Sequence, residues 1–192
     1  MVSSILLAAG KSRRMDRPKQ LMPWGQSTML EQTIDNLLGS AVNEVIVVVG
    51  HKAEEVRKTI GTKPVKVAVN PDYEQGMSTS IVAGLSLIDS QAQAVMLVLG
   101  DQPLIDIQTI NRLIDEFYDC DKGITIPTYH GKRGHPVIFA MKYKEELLGL
   151  KGDIGGRQII KDHPEDVLEV AVHCEGIITD IDTIIDYQSY IG

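Results

Sequence analysis

The alternation of short, wholly apolar runs with segments of helical period constrains this chain more than any other feature. "SSILLAA", "EVIVVVG" and "AVMLVLGD" are hydrophobic on both faces, as strands are when helices cover a sheet from each side. "VKVAV" reads as another strand. Between these runs, "TMLEQTIDNLL" puts Leu30, Ile34, Leu37 and Leu38 on one helical face. "KAEEVRKTI" is a short helix, and "MSTSIVAGLSLI" stacks Met77, Ile81, Leu85 and Ile88. "IQTINRLIDEFY" turns Ile107, Ile110, Ile114 and Phe117 inward. This β-α-β-α rhythm predicts an α/β fold with a doubly wound, mostly parallel sheet and right-handed crossovers. After Gly123 the rhythm changes. "ITIPTYHGKRGHPVIFA" reads as two strands around a Gly/Lys/Arg turn, an antiparallel hairpin excursion that joins the parallel sheet. A helix at "KYKEELLGL", a Gly-rich loop "KGDIGG", a further helix, a strand at "DVLEVAV" and a last helix near "IIDYQSYI" follow. The 192 residues contain no repeat, low-complexity tract or linker, so residues 1–192 are expected to form a single domain.

Composition narrows the function classes. A net charge of -7 argues against a nucleic-acid partner, and no apolar run approaches the ~18 residues of a membrane span. The N-terminal "MVSSILLAAGKS" carries its charges after the apolar run, the wrong order for a secretory signal, which predicts a cytoplasmic protein. Cys120 and Cys174 lack metal or redox spacing and read as free thiols. The five histidines form no metal-binding pair. Against the acidic background, Lys11, Arg13, Arg14, Arg17 and Lys19 crowd one loop, opposed only by Asp16. A dense basic loop next to a strand end suggests a local site for an anion.

In a sheet of this kind ligands bind beyond the carboxyl ends of the strands. Those ends read "AAGKSRRM", "VGHK", "NPDYEQGMSTS" and "GDQP". "GKS" is not a Walker A loop, because Ile5 stands where that motif needs glycine, and no GxGxxG fingerprint is present. What remains is small residues, Ala8, Ala9 and Gly10, before a basic loop ending in "RPKQL". Small side chains let backbone N–H groups approach phosphate oxygens, and Lys and Arg neutralise them. In "VLGDQP", Gly100 permits a sharp turn off a buried strand. Asp101 then projects from the strand end as either a Mg²⁺ ligand or a turn and cap residue. In "TDIDT", Asp180 and Asp182 lie on alternate faces of an extended segment. One of them would face the site, or both would serve as turn residues before the last helix.

The ordered set "LLAAGKSRRMDRPKQLMPWG", "NPDYEQGMSTSI", "LGDQPLI", "GHPVIF", "GDIGGRQ" and "DIDTIIDY" resembles the MobA-like nucleotidyltransferases, and among them the molybdenum cofactor cytidylyltransferases. The resemblance runs from about Ile5 to Tyr187. It implies Mg²⁺-dependent transfer of a nucleoside monophosphate to the terminal phosphate of molybdopterin, with release of pyrophosphate. On this implication Leu7, Ala8, Ala9, Gly10 and Lys11 form the nucleotide pocket. Arg14 and Lys19 hold the triphosphate, with Lys19 stabilising charge at the α-phosphate. Asp101 binds the metal, with Asp182 preferred to Asp180 as second ligand. Asn70, Gly76, Ser78 and Ser80 would contact base, ribose or pterin phosphate at a helix N-terminus. His135 in "GHP", and Asp153 and Arg157 in "GDIGGR", would face the acceptor. His135 is equally well read as a hydrogen-bonded turn residue, and Trp24 as a packing residue behind the basic loop.

Leu7-Ala8-Ala9-Gly10 stands where the guanylyl branch has "LAGG". The added methyl group, together with "GMSTS", points to CTP rather than GTP. Asp16 departs from the glycine usual at its position, which puts an acidic side chain in the phosphate loop. Two other classes stay open. One is a nucleotidyltransferase for a sugar phosphate or an isoprenoid precursor. The other is a non-catalytic carrier or maturation protein that hands the molybdenum cofactor to a hydroxylase. A molybdenum hydroxylase is likewise the expected recipient of an enzymatic product.

Overall fold

Strand β1 (Val2–Ala8) is the backbone of the molecule, wholly interior and flanked on both sides by parallel strands. The computed structural model describes residues 1–11 and 18–191. Ser12, Arg13, Arg14, Met15, Asp16 and Arg17 lie outside these, and with them the expectations attached to Arg14 and Asp16. After β1 come a small pair, β2 (Pro23–Trp24) and β3 (Ser27–Thr28), and helix α1 (Met29–Leu38). The order continues with β4 (Glu44–Val49), α2 (Ala53–Ile60), β5 (Lys66–Val69), α3 (Met77–Leu85), β6 (Ala94–Leu99) and α4 (Ile107–Tyr118). Then follow β7 (Ile124–Tyr129), β8 (Lys132–Arg133), β9 (Val137–Ala140), α5 (Lys144–Leu148), α6 (Arg157–Asp162), β10 (Val167–Ala171) and α7 (Ile184–Ile191).

The main sheet runs β10-β7-β9-β6-β1-β4-β5, with β8 attached to β7. Pairs β1–β4, β1–β6, β4–β5 and β7–β10 are parallel, and β9 is antiparallel to both neighbours. Helices cover both faces, as the two-sided apolar runs require. One face buries Leu30, Ile34 and Leu37 of α1, Val56 and Ile60 of α2, and Ile110, Leu113 and Phe117 of α4. The other buries Ile81 and Leu85 of α3, Leu147 of α5 and Ile159 of α6. Helix α1 starts at a reciprocal cap: the Thr28 hydroxyl accepts from the Glu31 amide at 3.2 Å, and the Glu31 carboxylate accepts from the Thr28 amide at 2.9 Å.

Three expectations shift in detail. Ile107 is 37% exposed, because α4 begins there and its inward stripe starts only at Ile110. Helix α3 ends at Leu85, short of Ile88. The expected hairpin is an insertion: β7 turns through His130 and Gly131, both with positive φ, into β8. The chain then returns as β9 between β7 and β6. Strand order of this kind depends on pairing between distant segments, which local patterning does not carry.

Among the described residues no helix is long and apolar enough to cross a membrane. Cys120 and Cys174 are both free thiols.

Candidate active site

The carboxyl ends of β1 and β6 open into a cleft of about 600 Å³. Its walls come from four stretches of sequence: Leu7 and Ala9 to Lys11 at the end of β1, Lys19 and Gln20, Tyr73 to Met77 and Ser80 around the start of α3, and Leu99 to Asp101 at the end of β6. Asp153 and Asp182 complete it from distant loops. Gly100 makes a close approach here. A Cβ at that position would stand 3.0 Å from the Leu7 carbonyl oxygen, the acceptor of the Gly100 amide. The end of β6 is thereby held hard against β1, and Asp101 is delivered to the cleft mouth.

Lys19 sits in one turn of 3-10 helix, Lys19–Leu21. Its ammonium donates to both Asp101 Oδ2 and Asp182 Oδ1, the latter at 2.8 Å. Burial by itself would lower the lysine pKa, but the Asp101 charge and the hydrogen bonds to Asp101 and Asp182 outweigh it and hold the pKa above its ordinary value. Lys19 is therefore a fixed positive charge. The backbone beneath it is anchored by buried Gln20, whose side-chain amide donates to the carbonyls of Ala8 (3.2 Å) and Gly10 (3.4 Å).

Asp182 is equally well held. Ile181 is fully buried beside Met29 and Tyr187, with Trp24 packed on the same cluster, and its amide donates to the Asp101 carbonyl at 3.2 Å. The two aspartates beside this plug point apart, Asp182 to Lys19 and Asp180 to Gln102, whose side-chain amide donates to Asp180 at 2.7 Å. Partial burial, then the charge of Asp101, raises the pKa of Asp180 against the effect of Gln102. The Asp186 carboxylate accepts from the amides of Thr183 (2.8 Å) and Asp182 (3.2 Å), capping α7 and pinning the segment.

The acceptor-side loop is docked onto α3. The Met77 amide donates to Asp153 Oδ1 at 3.1 Å and the Ser78 amide to the Gly152 carbonyl at 3.1 Å. The first N–H groups of α3, expected to face a ligand, are thus capped from within the protein. Gly76 makes the contact possible. Its φ is +114°, and a Cβ there would lie 2.4 Å from the Gly152 carbonyl carbon.

Of the residues expected at the site, Leu7, Ala9, Gly10, Lys11, Lys19, Gly76, Ser80, Asp101, Asp153 and Asp182 line the cleft. Ala8 does not, because strand alternation turns its side chain into the core. Asn70 and Ser78 are buried behind the wall. The Asn70 side-chain amide donates to the hydroxyls of Thr79 and Ser80, each at 2.9 Å, and its oxygen accepts from the Asp72 amide. It braces the loop. His135 and Arg157 are not among the lining residues. Burial, then the Arg157 charge, lowers the pKa of His135 against the opposing effect of Asp101. Its backbone amide donates to the Ile177 carbonyl at 2.9 Å.

Sequence reasoning passed over Gln20 and Tyr73. Gln20 carried a signal, a polar side chain beside Lys19 in an otherwise apolar "QLM" turn. Tyr73 lines the cleft with the Lys11 ammonium 5.8 Å from its ring centroid, and Lys11 also pairs with Glu74.

Two carboxylates converging on one cation suit a hard divalent metal, which takes one or two carboxylates and completes its shell with water and phosphate. The ammonium of Lys19 already marks a cation position between them. Among the described residues, no group of three or more His, Cys, Asp or Glu side chains could hold a metal. The phosphate groups of a substrate would have to supply the remaining oxygens.

The mostly parallel sheet, covered on both faces and opening at its strand ends onto a lysine and two aspartates, defines an α/β nucleotidyltransferase. Residues 4–167 match the MobA-like NTP transferase domain, and the chain belongs to that family. It is 29% identical to the molybdenum cofactor cytidylyltransferase of Escherichia coli K12, over 97% of this chain and 93% of that protein. It is 28% identical to the nicotine blue oxidoreductase of Paenarthrobacter nicotinovorans, over 95% and 93%. Among solved structures, Rv0371c of Mycobacterium tuberculosis H37Rv superposes with a TM-score of 0.89 at 32% identity, covering 98% of this chain and 96% of that one. A structure of the same protein in complex with manganese gives a TM-score of 0.84 at 30% identity, covering 98% and 97%.

Proposed function

We propose that this nucleotidyltransferase moves CMP from CTP to the terminal phosphate of molybdopterin, using Mg²⁺ and releasing pyrophosphate. The observation that carries the phosphoryl chemistry is Lys19 held between Asp101 and Asp182 at the mouth of the cleft. The choice of acceptor rests on the motifs shared with the cytidylyltransferases. The choice of base rests on Ala9, whose methyl group narrows the pocket where the guanylyl branch has glycine. Cytoplasmic residence agrees with two free cysteines.

The attacking group is a phosphate monoester, ionised at neutral pH, so the protein needs no general base. Its work is alignment and charge neutralisation. Leu7, Ala9, Gly10 and Lys11 would receive the nucleotide, and Arg14 would reach its triphosphate. Lys19 would oppose the charge that builds at the α-phosphate. Asp101 and Asp182 would hold the divalent ion, Asp180 being committed to Gln102. When bound, that ion screens the triphosphate and lets two anions approach. Asp153, at the cleft wall, would meet the acceptor, and Arg157 and His135, set outside that wall, would act on it only through the loop that carries Asp153 and the turn before β9, respectively.

The test is pyrophosphate release from CTP, GTP and ATP with molybdenum-loaded molybdopterin, in Mg²⁺ and in Mn²⁺. Release with CTP is the expected result. Release with GTP would keep the mechanism and overturn the argument from Ala9. Silence with all three would overturn the acceptor.

A further inference from the structure

We infer that Lys19 is the resident counter-ion of the metal site, exchanging with the incoming divalent ion and released by it to the nucleotide. This rests on the reading that Asp101 and Asp182 take the metal, but not on the identity of the base or the acceptor.

The geometry leads there directly. One ammonium spans two carboxylates 81 positions apart in the chain, Asp101 just past the end of β6 and Asp182 in the loop before α7. Lys19 and Asp101 side chains are only 17% and 15% exposed, so water screens this pair weakly, and the Asp182 side chain is 34% exposed. An ammonium and a divalent ion cannot share these oxygens without strong repulsion. Lys19 therefore has to leave for the metal to enter. Its backbone cannot follow, because Gln20 ties the turn to the Ala8 and Gly10 carbonyls. The motion is confined to a flexible four-carbon stem. That stem lines the same cleft as Gly10 and Lys11, where a triphosphate would offer the displaced ammonium new oxygens.

The consequence is a coupling. Metal alone must displace Lys19 from both carboxylates and so binds weakly. Metal with nucleotide offers the displaced ammonium phosphate oxygens, so each ligand tightens the other, and by linkage the effect is reciprocal. The same ammonium also offsets one of the two negative charges of Asp101 and Asp182 when no substrate is present.

The experiment measures Mn²⁺ binding without nucleotide, by the electron paramagnetic resonance signal of the free ion. Wild type is compared with K19M and K11M, and folding is checked by circular dichroism. Lys11 lines the same cleft but pairs with Glu74, so K11M reports general charge relief. K19M is expected to bind Mn²⁺ about tenfold tighter, and K11M within about twofold of wild type. Equal affinities in wild type and K19M would overturn exchange, as would an equal gain in K11M. If K19M does not fold, reagent acylation of Lys19 in wild type decides. Saturating Mg²⁺ alone should speed it about threefold or more by breaking the two ion pairs, and an unchanged rate overturns the inference. No readout uses CTP or pterin, so failure of the CMP-transfer reading leaves this result standing.

Discussion

Replacing Gly76 with alanine should separate two costs that coincide at one position. The backbone there has φ +114° and ψ 174°, a region almost confined to glycine, and holding a Cβ in it costs about 1–3 kcal/mol. The added carbon would also lie 2.4 Å from the Gly152 carbonyl carbon, 2.5 Å from its oxygen and 2.8 Å from the Asp153 amide nitrogen. These are backbone atoms with no rotamer to yield, so overlap adds about 1–3 kcal/mol. Gly152 supplies the control. Its φ is +70° but a Cβ there meets nothing within 4 Å, so Gly152→Ala carries only left-handed strain, about 1–2 kcal/mol. With a urea slope of about 2 kcal/mol/M, Gly76→Ala should lower the unfolding midpoint by about 1.5 M and Gly152→Ala by about half that. The local signature is specific: the amides of Met77 and Ser78, which donate to Asp153 and Gly152, should lose hydrogen-exchange protection in Gly76→Ala. Equal midpoints for the two variants, with both amides still protected, would refute the collision argument.

Other substitutions test the cleft. Asp101→Asn should lower turnover about 10²- to 10⁴-fold at unchanged melting temperature, and near-normal turnover would remove Asp101 from the chemistry. Gln20→Leu leaves two carbonyls without their shared donor, at about 1–3 kcal/mol, and lets Lys19 drift. Urea titration should register the loss and kcat should fall more than KM rises; an unchanged kcat would show that Gln20 does not position Lys19. His135 predicts a pH effect. Burial holds its folded pKa below the ordinary histidine value, so the unfolded chain takes up the proton first as pH falls. The neutral histidine's contribution is whole above about pH 6.5 and is lost progressively as pH falls from there toward the folded pKa. His135→Gln should flatten the fall in melting temperature between about pH 7 and 5, and a slope equal to wild type would show that this titration lies elsewhere.

What the sequence made legible is local. Runs such as Val45–Val49 and Ala94–Val98 could only be two-sided strands, and both are buried throughout. The stripe of Ile110, Ile114 and Phe117 is buried as its spacing demands. Ile107 failed because periodicity ignores where a helix begins. The insertion of β9 was illegible because it depends on β6 and β7 offering complementary edges, a fact about three segments at once. Asp153 shows the same limit at the site. Its place in a Gly-rich loop marked it as important, but nothing local tells that its carboxylate caps a helix starting 76 positions earlier. Lys19, Asp101 and Asp182 could be named one by one, whereas their meeting around a single ammonium required the fold.

The insertion of β9 has a bearing on how the chain is made. Until Val137–Ala140 has left the ribosome, β6 stands at the edge of a partly built sheet, presenting "AVMLVL" with its outer hydrogen-bonding groups unmet. The partner is synthesised roughly 40 residues later, a wait of about 2–8 s at ordinary translation rates. During that interval a wholly apolar strand edge is open to other nascent chains. The same short strand that joins the two halves of the sheet is thus also the stopper that closes the open edge of β6.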